Sequence, residues 1–143
     1  MTQGADDRPT GRQYQALAAF RRALRGFTVF SEAAARQAGL TPQQHQAVLA
    51  IKGAPSNRPL SVGDLAEALA LRHHSAVELT DRLVEAGLVV RTQAEDDRRK
   101  LALGLTPRAE EVLDRLSAMH LAELRQRGPA LVTLLQAIIQ PEA

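Results

Sequence analysis

The chain has 143 residues, 45% of them hydrophobic and 24% charged, which fits one compact domain over residues 1–143 and excludes a disordered chain. The absence of cysteine excludes disulfides, thiolate metal sites and thiol redox chemistry. Eighteen basic residues against sixteen acidic leave a net charge of +2, so net charge permits nucleic-acid binding without arguing for it.

Residues 1–12 are polar, contain glycine and proline, and read as a flexible arm without the apolar stretch of an export signal. A cytoplasmic location is therefore expected, and no apolar run is long enough to make the membrane a partner. From Tyr14 to about Ala38 apolar residues recur at Leu17, Phe20, Leu24, Phe27, Phe30 and Ala34, one stripe on a long helix that stops at Gly39. Arg21, Arg22, Arg25 and Arg36 lie off that stripe. Thr41-Pro42-Gln43-Gln44 has the form of a capping box and starts a helix to about Lys52, expected to bury Val48, Leu49 and Ile51. The breakers in 53–59 predict a loop, after which Ser61 and Asp64 cap a short helix carrying Leu65, Ala66 and Leu69. A turn at Ala70-Leu71-Arg72 leads into a helix from about His73 to Ala86, ended by Gly87. Two short strands, 88–92 and 100–105, flank a charged turn at 94–99. Thr106-Pro107 starts a helix to Gly128 with Val112, Leu113, Leu116, Met119 and Leu124 on one face. Pro129 is expected to open a last helix bearing Leu131, Leu134, Leu135 and Ile138.

Short helix, tight turn, helix and hairpin in that order make a winged helix-turn-helix, so the fold class is mainly α with a two-stranded β-wing. In the helix from His73, Ala76, Leu79, Thr80 and Leu83 share the face that packs on the preceding helix. His73, His74, Val77, Glu78 and Asp81 share the other, with Arg82 at its edge. A recognition helix presses such a face against base edges. Histidines can donate to guanine or phosphate, Val77 can meet a thymine methyl, and Glu78 can accept from cytosine N4. The candidate DNA contacts are Ser61, Arg72, His73, His74, Ser75, Val77, Glu78 and Arg82, with Asp97, Arg98, Arg99 and Lys100 of the hairpin.

Plainer readings stand beside these. The histidine pair can be a solvated helix start, and the run 95–100 an ordinary charged turn. A metal pair with His45 or His120 is disfavoured because adjacent histidines on a helix point in different directions. His45 and His120 read as helix-surface or pocket-wall residues. No resident cofactor is implied. An enzyme reading fails on inventory: Ser75, the histidines and Asp81 lie on one helix, with no elbow to present a nucleophile and no glycine-rich phosphate loop.

Several short motifs stand in one order and spacing: Leu40-Thr41 and Gln44, Asp81-Arg82-Leu83, Gly87-Leu88-Val89, Arg91, Asp97 and Arg99, and Leu105-Thr106. Together they resemble the MarR family of bacterial transcriptional regulators, by motif over about residues 40–110 and by helix layout on either side. The resemblance implies that Arg99 at the wing tip enters the minor groove, held by Asp97. It implies a two-fold dimer, with residues 13–39 and 107–141 as dimerisation helices and 40–106 as the DNA-binding region. Leu17, Phe20, Leu24, Leu131, Leu134, Leu135 and Ile138 are the candidate dimer contacts. It further implies a repressor that releases double-stranded DNA on binding a small effector, often an aromatic or phenolic ligand. Two features depart from the pattern. Glu78 stands where the family is often basic, and residues 72–100 carry six basic against six acidic side chains. These keep a second reading open, a winged-helix protein–protein scaffold that no longer binds DNA.

Overall fold

The computed structural model describes residues 8–55, 57–94 and 97–140, with the side chains of 94 and 97–100 outside the description. The elements in order are α1 (Gly11–Gln37), α2 (Pro42–Lys52), α3 (Val62–Ala68), α4 (His73–Glu85), β1 (Val89–Ala94), β2 (Asp97–Leu105) and α5 (Pro107–Ile139). The chain is mainly α, with a single two-stranded antiparallel sheet among the described residues. It divides into two compact units, residues 32–118 and residues 1–31 with 119–143.

The unit 32–118 holds the winged helix-turn-helix. Its core gathers Leu40, Val48, Leu65, Leu79, Leu83, Leu88, Val89, Leu103 and Leu116. The capping box of α2 is present: Gln44 N donates to Thr41 Oγ1 at 3.1 Å, and Thr41 N donates to Gln44 Oε1 at 3.0 Å. The buried face of α2 is His45, Ala47, Val48 and Ile51, whereas Leu49, expected inside, is 49% exposed. The buried arc centres on Ala47, Val48 and Ile51, and Leu49 falls beyond its edge. His45, expected at a surface or pocket wall, is instead a buried residue of this helix.

The hairpin is longer than its sequence pattern suggests. Val89 pairs with Leu105 and Gln93 with Leu101, and an irregularity after Gln93 brings Ala94 opposite Asp97. Positions 94 and 97–99, expected in the turn, are thus strand residues, and the turn positions 95 and 96 lie outside the described residues. Leu103 N donates to Leu60 O at 2.8 Å, which fastens the segment before α3 to β2.

In the unit of residues 1–31 and 119–143, α1 begins at Gly11, inside the segment read as an arm. Thr10 N donates to Gln13 Oε1 at 2.8 Å and Gln13 N to Thr10 Oγ1 at 3.2 Å, a second capping pair. Residues 1–7 of the expected arm lie outside the described residues. His120 packs edge-on to Phe27 and Phe30, and its Nε2 lies 2.8 Å from Ser31 Oγ. The two helices expected on either side of Pro129 are one: α5 runs unbroken through it. Gly128 supplies the reason, because a residue without Cβ relaxes the clash that normally bars helix before proline. Leu17, Leu24, Met119, Leu124, Leu135 and Ile138 are all exposed in this single chain.

Candidate nucleic-acid interface

The site is built on the turn between α3 and α4. Ser61 caps α3, its Oγ accepting from Asp64 N at 3.1 Å while Asp64 Oδ2 accepts from Ser61 N at 3.0 Å. That half-buried hydroxyl is therefore engaged in holding the helix start. Ala70 adopts φ 53°, the left-handed region, which lets Leu71 N reach back to Ala66 O at 2.8 Å and close the helix. Arg72 then takes the N-cap position of α4 without a side-chain cap bond, and it is exposed.

The two faces of α4 separate as the helical period requires. Ala76, Leu79, Thr80 and Leu83 are buried. Thr80, the polar member, donates from Oγ1 to Ala76 O at 2.7 Å, so its hydroxyl is satisfied inside the core. His73, His74, Val77, Glu78, Asp81 and Arg82 are exposed, and Ser75 is half-buried. The outward face thus presents two imidazoles, an isopropyl group and a carboxylate within its first two turns. Those groups can read the major-groove edges of bases.

One ion pair shapes the electrostatics. Arg91 on β1 binds Asp81 on α4, which fixes the wing to the recognition helix and removes one acid and one base from the balance. Both residues belong to the motifs singled out in the sequence, yet their ten-residue separation follows no helix or strand spacing that would predict the contact. At the base of the wing Gly87, at φ 72°, ends α4 and accepts from Thr106 Oγ1 at 2.7 Å. Arg108 Nη1 donates to Ala86 O at 2.5 Å. The base of the wing is thus pinned to both neighbouring helices.

Asp97, Arg98, Arg99 and Lys100 have their backbones in β2, but their side chains, and with them the expected Asp97–Arg99 pairing, lie outside the described residues. Among the described residues no three histidine or acidic side chains gather to hold a metal ion. Nor is any described helix long and apolar enough to cross a membrane.

Comparison with known proteins agrees with this arrangement. The MarR family model matches residues 38–100, from just after α1 into the first part of β2. The solved structure of AbsC, a MarR family transcriptional regulator from Streptomyces coelicolor, superposes with a TM-score of 0.73 at 23% identity, covering 95% of each chain. That of the multiple antibiotic-resistance repressor from Listeria monocytogenes gives 0.66 at 25% identity, covering 93% of this chain and 99% of the other. A mutant of MepR from Staphylococcus aureus, solved bound to an oligodeoxyribonucleotide, gives 0.65 at 17% identity, covering 86% of this chain and 96% of the other. No curated protein matches the chain by sequence.

Proposed function

We propose that the protein is a homodimeric DNA-binding transcriptional regulator of the MarR family, whose family model matches its winged helix-turn-helix over residues 38–100. The reading extends to a repressor that binds an inverted-repeat operator and releases it on binding a small aromatic or phenolic effector. One observation carries it. The exposed row His73, His74, Val77 and Glu78 lies on a helix whose opposite face is buried against α3 and the wing base, and its side chains make no hydrogen bond or ion pair among the described residues.

Dimerisation is supported by the apolar side chains left uncovered on α1 and α5. Leu17, Leu24, Leu135 and Ile138 are each more than a third exposed, and Phe20, Leu131 and Leu134 are half-buried beside them. Apolar surface of that extent on two long helices favours a second copy as its cover. Two recognition helices related by a two-fold axis then read half-sites about 10 bp apart, centre to centre.

The balanced charge of 72–100 favours a second reading, a winged-helix scaffold that binds proteins. Arg99 decides between the two. In the regulator, Arg99→Ala weakens binding to all duplexes alike and flattens the log–log salt dependence by about one unit, because backbone and minor-groove contacts carry little sequence information. A titration in which Arg99→Ala leaves affinity and salt slope untouched gives the scaffold reading the lead.

A further inference from the structure

The net charge of +2 is unevenly divided along the chain. Residues 32–118, which include α3, α4 and the wing, carry eleven basic and twelve acidic side chains. Residues 1–31 and 119–143 carry seven arginines against four acids. The basic excess therefore belongs to the unit that lacks the winged helix.

On α1 the excess has a definite place. Arg22 and Arg25 lie on the side opposite the stripe of Phe20, Phe27 and Phe30, Arg21 lies beside Leu17 and Leu24 at the stripe's edge, and all three arginines are exposed. None of them enters an ion pair among the described residues. Arg22 and Arg25 rim an open groove of about 490 Å³ whose floor is Gln15, Ala18 and Ala19. An alanine floor lets an extended anion come close to the helix while guanidinium forks reach over it. A second copy of the chain brings the same excess in this unit, seven arginines against four acids, and so adds no net negative charge to this face. The unit 32–118 offers an excess of a single negative charge. The partner must bring negative charges in a row. Gln15 to Arg25 covers about 15 Å of helix, a length over which each strand of a duplex presents several phosphates.

We propose that the arginine face of α1 binds the phosphate backbone of nucleic acid without regard to sequence, as a contact separate from the winged helix. The inference stands whether or not α4 reads an operator.

The test uses the full-length protein and a duplex without inverted repeats, with binding followed from about 50 mM to about 200 mM salt. The triple variant Arg21→Gln, Arg22→Gln, Arg25→Gln is expected to bind at least tenfold more weakly at the low-salt end and to flatten the log–log slope by about two to three units. The matching triple lysine variant keeps the slope, because counterion release counts the charges that meet phosphates, whichever cation carries them. An unchanged slope in the glutamine variant overturns the proposal, and so does a lysine variant that loses as much as the glutamine one. Binding to phosphatidylserine vesicles that is lost in the glutamine variant while duplex binding persists overturns it in favour of a lipid surface. If circular dichroism shows that the glutamine triple is unfolded, Arg22→Gln alone decides, with about one unit of slope expected and no change contradicting.

Discussion

Glu78 faces outward from α4 with its carboxylate exposed, while the next acid on that face, Asp81, is held by Arg91. Its charge acts in two directions. It repels phosphates wherever the protein touches a duplex, and it accepts a hydrogen bond where a cytosine N4 lies opposite. Replacing Glu78 with alanine is therefore expected to raise affinity for unrelated duplexes. It should also lower discrimination at one base-pair position by about 1–3 kcal/mol. Competition binding with single-substituted operators reads both effects, and a loss spread evenly over all positions would count against a base contact. The outward and inward sets of α4 were legible in the sequence, because period 3.6 sorts thirteen residues into two arcs with little overlap. The grip of Arg91 on Asp81 was not, since a contact between helix and strand obeys no local spacing. Leu49 shows the opposite failure: it is apolar in an amphipathic helix, yet one step outside the buried arc.

At the scale of elements, the turn between α3 and α4 holds a strained residue at the place where the recognition helix is aimed. Ala70 sits at φ 53°, and the left-handed region costs a residue with Cβ about 1–2 kcal/mol. Glycine removes that cost but adds freedom to the unfolded chain worth roughly 0.4–1 kcal/mol. Ala70→Gly is thus expected to raise stability in chemical denaturation by about 0.8 kcal/mol, the difference of the two midpoints. A loss of 1 kcal/mol or more would show that the left-handed geometry is not an important source of strain in solution. Helix ends account for most of the differences between pattern and structure. Thr10 and Gln13 form a cap that Pro9 and Gly11 disguise as a loop. Pro129 mimics a helix start, but Gly128 lets α5 pass through it. The charged residues 97–99 carry little strand propensity, and their backbone joins β2 because pairing with β1 extends that far.

For the whole molecule, the unit formed by 1–31 and 119–143 leaves Leu17, Leu24, Leu135 and Ile138 exposed in this chain. A dimer that covers them should melt at a temperature that rises with protein concentration. Removing residues 129–143 takes away Leu131, Leu134, Leu135 and Ile138 and is expected to yield aggregation or unfolding. A truncated chain that stays folded and monomeric by sedimentation would contradict the dimer. The winged helix-turn-helix was readable from motif order, because caps, turn and hairpin each leave a local signature. The division of charge between the two units was not, since it emerges only once the fold assigns each arginine to a unit.

Selection of duplexes from a random pool by the full-length protein tests the proposed two-fold DNA reader, built on α4, most directly. The predicted result is an inverted repeat with half-sites about 10 bp apart, centre to centre, whose preferred bases change when Glu78 is replaced by alanine. Recovery of no preferred sequence, or of one asymmetric half-site unaffected by that substitution, would contradict it.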